Sequence, residues 1–266
     1  MTTHLPTIRT VTATRYVTPL REGGSLPAIV EADDDGLYVL KFRGAGQGPK
    51  ALIAELLAGE IGRALGLPVP EIVLVQLDPA LGRAEPDYEI QGLIQRSAGV
   101  NLGLDFLPGS LGFVAANRPQ VDPHLASAIV WFDAYVTNVD RTPRNPNMLL
   151  WHKKVWLIDH GASLYFHHHW NDVSRQGRSP FAQVRDHILL PVASQLAQAD
   201  NTLRARLTPD LLDAVVDLIP DDWLTPEAGI GDAAAQRAAY RTFLQTRHDQ
   251  AGIFLEEALR ARAALL

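Results

Sequence analysis

The apolar and polar positions in the first part of the chain predict short strands around a single helix. Five runs have the pattern of strands, and they are residues 8–16, 28–32, 37–42, 71–77 and 88–94. The turn residues Asp33-Asp34-Asp35-Gly36 stand between the second and third runs and favour a hairpin. We therefore expect a small antiparallel sheet.

A helical repeat interrupts these strands. Between residues 50 and 65, apolar side chains recur three and four positions apart, and Gly66, followed by Pro68, marks the end of a helix. Residues 97–120 are rich in Gly, Asn and Pro. They are expected to connect the strand-rich part to the rest of the chain.

The chain beyond residue 120 is predicted to be mostly helical, with one strand pair. A helix is expected over 124–135, followed by a polar, proline-broken loop over 138–147. Two short apolar runs, 148–151 and 155–158, predict a hairpin. Several amphipathic helical patterns follow from residue 181 onwards. These elements together predict the α+β fold class.

Composition and charge exclude several kinds of site and partner. The 266 residues include no cysteine, which excludes disulfides, thiolate metal sites and cysteine nucleophiles. A formal net charge of −6 argues against a broad nucleic-acid surface. No stretch approaches the roughly 18 apolar residues of a membrane span, and residues 1–10 lack the pattern of a signal peptide. A cytoplasmic protein without a membrane partner is expected.

A lysine interrupts the third strand run, and acidic residues follow it on the predicted helix. On a strand, Lys41 points away from the side that carries Leu40 and Phe42, and its ammonium can hold nucleotide phosphates. Glu55 is a candidate to fix that ammonium, and Glu60 is the competing choice. Taken singly, each residue is more simply explained as a solvated surface side chain.

The loop at 138–147 carries the strongest candidate chemistry. Phosphoryl transfer needs a carboxylate to orient the acceptor hydroxyl and an amide oxygen to help hold Mg²⁺. Asp140 and Asn145 have the five-residue separation of a kinase catalytic loop, and Asn147 offers a second amide beside the next strand. Turn formation explains the composition of this loop but not the order of its residues.

The predicted hairpin ends in Asp159-His160-Gly161. An apolar strand that delivers a carboxylate onto a glycine is similar to the metal-binding Asp-Phe-Gly position of kinases, although a strand that ends in a turn has the same pattern. Asp159 follows Asp140 by 19 residues, which leaves room for loop, strand, turn and strand. Both carboxylates are therefore expected at one end of the hairpin.

Gly23, Gly24 and Ser25 form the candidate phosphate loop, a hairpin's length before Lys41. Glycines let backbone N–H groups approach phosphate oxygens, and the serine adds a hydroxyl. The sequence contains neither a GxGxxG nor a GxxxxGK[ST] motif here, so this assignment depends on position alone.

Two other features suggest different chemistry. His167, His168 and His169 are consecutive, and neighbouring side chains do not converge easily on one ion, so an exposed loop near the cleft is expected instead of a metal site. Ser163 follows a glycine and an alanine, but the G-x-S-x-G turn of serine hydrolases is absent from the sequence.

Taken in order, the strand lysine, the helix glutamate, the Asp–Asn loop and the Asp-X-Gly hairpin resemble the HipA-like kinase family, within the wider protein-kinase-like and lipid-kinase-like fold. The matching segments are 38–42, 54–71, 138–150 and 156–161. The sequence departs from the protein-kinase pattern in two places. Asn138-Val139 precede Asp140, so the His of a His-Arg-Asp motif is absent, and Pro146-Asn147 extend the loop. In addition, no Ala-Pro-Glu motif follows Asp159.

The resemblance implies a bilobal fold, with ATP between a small lobe at residues 1–96 and a larger, mostly helical lobe at 97–266. It implies that Lys41, positioned by Glu55, holds the phosphates and that Asp140 is the catalytic aspartate. Asp159 and either Asn145 or Asn147 would bind Mg²⁺. Leu93, Ile94 and Gln95 end the last strand predicted for the small lobe, so they are expected to contact the adenine.

The predicted function is transfer of the γ-phosphoryl group of ATP to a hydroxyl of an unidentified acceptor, with protein Ser or Thr as the expected class. A protein partner, as in a toxin–antitoxin-like system, is compatible with the resemblance. One alternative is a pseudokinase or nucleotide-dependent interaction module. Another is an antitoxin-type or scaffold protein without a nucleotide site. ATP turnover and stabilisation by Mg·ATP would separate these alternatives.

Overall fold

The computed structural model describes residues 6–20, 26–46 and 48–265. Within these ranges the strands are β1 (Arg9–Pro19), β2 (Ala28–Ala32), β3 (Leu37–Lys41), β4 (Ile72–Leu77), β5 (Gly99–Asp105), β6 (Leu111–Gly112), β7 (Met148–Trp151) and β8 (Lys154–Leu157). The helices are α1 (Gly48–Ala64), α2 (Tyr88–Arg96), α3 (Pro123–Tyr135), α4 (Val173–Gly177), α5 (Leu196–Arg204), α6 (Pro209–Asp217), α7 (Ala233–Asp249) and α8 (Ala251–Ala263). Short 3-10 helices lie at Pro79–Ala84, Ala115–Gln120, Tyr165–His168, Ala182–Asp186, Leu190–Val192 and Asp221–Trp223.

The first five strands close into a barrel in the order β1-β2-β3-β5-β4. β1 pairs with β4 in parallel, whereas the other neighbours in the barrel are antiparallel. The expectation of a simple antiparallel sheet is therefore wrong in two respects, closure and the β1–β4 direction. The interior of the closed barrel is filled by apolar side chains, several of them small, among them Ala13, Ala28 and Ala32.

At Gly103 the barrel leaves no room for a side chain. A Cβ at this residue would lie 2.7 Å from Val75 Cγ2, 3.0 Å from Val73 Cγ2 and 3.3 Å from Tyr38 Cβ. We expect Gly103→Ala to lower the free energy of unfolding by about 1–3 kcal/mol through overpacking. Gly112→Ala, on strand β6, is the matched control, because a Cβ at this residue would have no heavy atom of another residue within 4 Å beyond its chain neighbours. Urea unfolding of both variants tests the prediction, and equal midpoints would contradict it.

Two predicted elements are wrong. Residues 88–94 form most of helix α2 instead of a strand, with Ile90, Leu93 and Ile94 on its buried face. The segment 97–120 is not simply a connection, because it contains strand β5, which lies between β3 and β4 in the barrel. The predicted boundary at residue 96 therefore falls before the last strand of the barrel.

Helix α1 packs into the main core, between the barrel and the helices of the second part of the chain. Apolar side chains cover almost its whole circumference, including Leu52, Leu56 and Ile61. A helix that is apolar all round must be buried, and Glu55 and Glu60 are buried with it. A buried carboxylate needs a partner to offset its desolvation, so these two residues require an explanation from the site.

The second part of the chain surrounds helix α3, whose side chains from residue 126 to residue 135 are all buried. The hairpin β7–β8 forms as predicted and pairs with β6 in a three-stranded sheet. The pairing of Met148 with Leu157 brings the end of the 138–147 loop close to residue 159. Among the described residues, the helices are too short or too polar to cross a membrane.

Candidate active site

Strand β3 delivers Lys41 to the outer face of the barrel, where α1 and the end of β8 meet it. Lys41 Nζ donates to Asp159 Oδ1 at 2.9 Å and lies 3.9 Å from Glu55 Oε2. The alternation of β3 explains this orientation, because Tyr38, Leu40 and Phe42 face the barrel interior. A cation from the barrel and a carboxylate 118 residues later thus meet in space.

The charges around Lys41 outweigh the cost of its burial. Burial alone would lower the pKa of the Lys41 ammonium, but Glu55 and then Asp159 raise it above its ordinary value. Burial alone would likewise raise the pKa of Glu55, but Lys41 and a hydrogen bond from His160 hold that pKa well below its usual range. The lysine and the glutamate are therefore both charged, and Glu60 takes no part, since its partner is Arg63 at 3.3 Å.

His160 is a member of this cluster that the sequence did not single out. Its side chain is fully buried, with Nδ1 3.4 Å from Glu55 Oε1 and the ring packed edge-on against Phe132. His160, which directly follows Asp159, thus contacts the same carboxylate that faces Lys41. The signal available in the sequence was a histidine inside the Asp-X-Gly pattern, at the position that Phe holds in the Asp-Phe-Gly of kinases.

The loop after α3 brings Asp140 to the same end of the hairpin. Asp140 Oδ2 accepts from Asn145 Nδ2 at 2.7 Å and from Asn147 Nδ2 at 3.3 Å. Asn147 Nδ2 also lies 3.5 Å from the backbone oxygen of Asp159. Both candidate asparagines thus contact Asp140, but Asn147 stands between the two aspartates, whereas Asn145 is exposed.

Asn147 and Asp159 both have left-handed backbone conformations, with φ of 48° and 55°. Residues other than glycine adopt this region at some energetic cost, although Asn and Asp tolerate it better than most. Such conformations persist where the surrounding structure determines them, and they concentrate at functional sites. The two residues flank the hairpin, one before β7 and one after β8.

A buried ionic network lies under the loop. Asp133 of α3 binds the guanidinium of Arg141, and its carboxylate also accepts from Asn138 Nδ2 at 3.0 Å and from His187 Nε2 at 2.8 Å. The exposed fractions of Asp133, Arg141 and His187 are 0%, 1% and 6%. Sequence reasoning missed Asp133, although a lone acidic residue in an apolar helix is a signal that it is paired.

A small pocket opens beside Lys41 and Asp159. Its lining consists of Lys41, Phe42, Ala45, Gly48, Ala51, Leu52, Glu55, Asp159 and Gly161. The side chain of Asp159 is 47% exposed and that of Lys41 is 13% exposed. The ammonium of Lys41 and the carboxylate of Asp159 can therefore both be reached from solvent.

The oxygen donors at this site suit a hard divalent cation. Carboxylate and amide oxygens, here from Asp140, Asp159 and the two asparagines, are the ligands that Mg²⁺ accepts. Within the described residues, no group of three or more His, Asp or Glu side chains could enclose a metal ion. Mg²⁺ does not need one, because it keeps several waters and binds through one or two carboxylates and the phosphates of a substrate.

Several residues that the sequence suggested for the site are placed elsewhere or lie outside the described residues. The candidate phosphate loop, Gly23, Gly24 and Ser25, falls in the undescribed segment 21–25. Leu93 and Ile94 are buried in the barrel core, and they and Gln95 belong to α2. The reason for assigning these three to the adenine, that they end the last strand of the barrel, no longer holds.

The histidine run is only in part the exposed loop that was expected, because His168 and His169 are exposed but His167 is not. His167 is fully buried, with Nδ1 3.0 Å from the hydroxyl of Tyr240, and burial lowers its pKa well below the ordinary value. Phe166 beside it stacks on Phe243 at 4.0 Å between ring centroids. The segment therefore anchors the chain after Asp159 to helix α7.

Comparison with known proteins assigns the chain to a family. The model of the HipA-like kinase family matches residues 14–251, which include Lys41, Glu55, Asp140 and Asp159. The chain belongs to the HipA-like kinase family. No curated protein matches this HipA-like kinase.

Two solved structures of other proteins are similar in fold to this HipA-like kinase. The Helicobacter pylori proinflammatory kinase CtkA is 15% identical, with 97% of this chain and 99% of that chain covered and a TM-score of 0.57. The Golgi casein kinase, in a crystal structure with Mn and ADP bound, is 11% identical, with 96% of this chain and 75% of that chain covered and a TM-score of 0.53. At such identities the similarity shows a shared kinase-like fold.

Proposed function

We propose that this HipA-like kinase transfers the γ-phosphoryl group of ATP to a hydroxyl group, in a cleft between two lobes. The barrel, through β5, would form the small lobe and the chain beyond residue 105 the larger one. The observation that carries the proposal is the meeting of Lys41 and Glu55 with Asp159, and of Asp159 with Asp140 through Asn147. No single motif requires these groups to converge.

Each group has a role that its surroundings support. Lys41, held charged by Glu55, would bind the α- and β-phosphates. Glu55 is buried and fixed between Lys41 and His160, so it would position the ammonium without contacting the nucleotide. Asp140 would orient the acceptor hydroxyl and accept its proton. Most of the rate enhancement would come from positioning and from electrostatic stabilisation.

Asp159 and Asn147 are the residues that would hold Mg²⁺, with Asn145 as the alternative amide. When bound, the ion would offset the charge of the phosphates. Lys41 contacts Asp159 directly. Binding of ATP would therefore exchange this ion pair for contacts of the lysine with phosphate oxygens, which frees the carboxylate for the metal.

The adenine would bind on the barrel face that carries Lys41. Ile29 and Val39 are paired across β2 and β3, and Val39 points to the same side of β3 as Lys41. Both are partly exposed, although apolar. They form an apolar strip next to the Lys41 ammonium. The adenine could therefore contact this strip while the ammonium binds the phosphates of the same nucleotide. This strip replaces Leu93, Ile94 and Gln95 as the proposed adenine contact.

Replacing Lys41 tests the proposed function. We expect Lys41→Met to lower ATP consumption with Mg²⁺ by about 10²- to 10³-fold, the usual cost of removing one group that stabilises charge in the transition state. Lys154→Met, at an exposed position of β8, is the matched control and should keep the rate of the unchanged protein. The measurement is the initial rate of ADP formation, together with transfer of labelled phosphate to the protein itself.

The outcome separates the kinase from its alternatives. If the unchanged protein is stabilised by Mg·ATP but neither it nor the variants turn ATP over, a pseudokinase or nucleotide-dependent interaction module replaces the proposal. If Mg·ATP does not raise the thermal midpoint at all, the chain has no nucleotide site, and both the kinase proposal and the pseudokinase alternative are wrong.

A further inference from the structure

We infer that Arg141 is a positioning residue that holds Asn147 and Asp159 in their metal-binding arrangement, and that Asp133 and His187 fix Arg141 for this purpose. The inference rests on the proposed function, since it concerns the same metal site. Arg141 itself cannot contact substrate, because only 1% of it is exposed.

The guanidinium of Arg141 joins the two ends of the β7–β8 hairpin. Its Nη1 donates to the backbone oxygen of Asn147 and lies 3.4 Å from that of Ile158, the residue before Asp159. Asn147 O accepts in addition from the backbone N–H of Ile158 at 3.1 Å. One planar group therefore sets the separation of the two peptide units from which the candidate metal ligands project.

The backbone at these two ligands needs such support. Asn147 and Asp159 both have positive φ, and each such residue costs energy that neighbouring contacts must offset. The carbonyl of Asn147 is fixed directly by Arg141, and the peptide that enters Asp159 is fixed through Ile158. Loss of the guanidinium would let either residue relax toward the common regions of φ and ψ, which would re-aim its side chain.

The other end of Arg141 is held as firmly. Arg141 Nε and Nη2, Asn138 Nδ2 and His187 Nε2 supply four donors to the two oxygens of Asp133, which satisfies the carboxylate completely. His187 Nδ1 accepts from the backbone N–H of Leu189 at 3.0 Å. The imidazole is therefore neutral, with its proton on Nε2 and directed at Asp133.

This arrangement differs from a purely structural ion pair because one side of it is the metal site. Groups that orient metal ligands without touching the metal commonly alter metal affinity by about 10- to 100-fold when they are replaced. Arg247 is a useful contrast in the same part of the chain. It is equally buried and binds the backbone oxygens of Ala134, Tyr135, Gly177 and Ser179. None of these residues projects into the site.

The test compares Arg141→Lys with Arg247→Lys. The thermal midpoint of each protein is followed while Mg²⁺ is titrated at a fixed, saturating concentration of ADP, with ADP alone and Mg²⁺ alone as blanks. We expect Arg141→Lys to raise the Mg²⁺ concentration at half-saturation about 10- to 100-fold. Arg247→Lys should lower the starting midpoint but leave the half-saturation unchanged.

Each result has one meaning. If Arg141→Lys and the unchanged protein share the same half-saturation, or if Arg247→Lys shifts it equally, Arg141 is structural only and the inference is overturned while the proposed function stands. If the unchanged protein shows no Mg²⁺-dependent shift with ADP and no ATP turnover, the proposed function fails first. Should Arg141→Lys not fold, His187→Ala removes one donor from Asp133 and is expected to raise the half-saturation less, in the same direction.

Discussion

Replacing Asp140 with alanine is expected to lower kcat by about 10²- to 10⁴-fold, the range that a positioned general base contributes. The carboxylate is partly exposed on the loop and is aligned by Asn145 and Asn147. The residues proposed to hold the α- and β-phosphates and the adenine are all on the barrel, so the affinity for Mg·ADP should change far less than kcat. The measurements are initial rates of ATP consumption and a thermal-shift titration with Mg·ADP.

Asp186→Ala is the control for this change. Its side chain is 63% exposed and contacts only the neighbouring Arg185 among the described residues, so turnover should stay the same. An Asp140→Ala protein that binds Mg·ADP and turns ATP over at the unchanged rate would remove the catalytic role from Asp140. The loop would then be a structural turn, as its composition alone suggests.

The sequence predicted that Lys41, Glu55, Asp140 and Asp159 lie close together better than it predicted the strands. Lys41 interrupts an apolar strand, and that pattern fixes both the element and the side of it from which the charge projects. Asp159 follows an apolar strand, which fixes its place after the hairpin. The residues of the 138–147 loop are close in sequence, so they are necessarily close in space, and their order indicates their arrangement. What the sequence could not show is the distance between distant groups, such as the 2.9 Å between Lys41 and Asp159.

The strand predicted at 88–94 failed because a short apolar run has two interpretations. Ile90, Leu93 and Ile94 are spaced as one face of a helix, and Asp87 caps it by accepting from the backbone N–H of Glu89. The cap was the deciding signal. Strand β5 was missed because its two glycines suggest a loop. In the structure, Gly103 lies in the strand because the barrel interior is too crowded there for a side chain.

The network of Asp133, Arg141 and His187 could not be assembled from the sequence. Each residue lies in a different local element, and His187 is 54 positions from Asp133. A pairing of this kind is selected by burial in the tertiary fold, not by local propensity. Its importance follows from its charge, because an isolated carboxylate inside a protein is far more costly than an apolar side chain.

The pH dependence of the free energy of unfolding should show that the Asp133 carboxylate is ionised in the folded protein. Burial alone would raise the pKa of this carboxyl, but Arg141 and the hydrogen bond from His187 hold it well below its usual range. A depressed folded pKa contributes stability above the unfolded value of about 3.9, and that contribution is lost as the pH falls toward the folded pKa. The stability difference between the unchanged protein and an Asp133 variant should therefore be constant near neutral pH and shrink below about pH 4.

Asp133→Ala is expected to be the most destabilising of these changes, by about 3–5 kcal/mol, because it leaves the guanidinium of Arg141 buried without a counter-charge. Urea unfolding near neutral pH measures it, and Asp213→Ala, at an exposed pair with Arg241, should cost less than about 1 kcal/mol. Since the penalty comes from the orphaned cation, Asp133→Leu combined with Arg141→Met should recover part of the loss. If the double variant is less stable than Asp133→Ala, the hydrogen bonds to Asn147 and Ile158 hold the fold more strongly than the ion pair does.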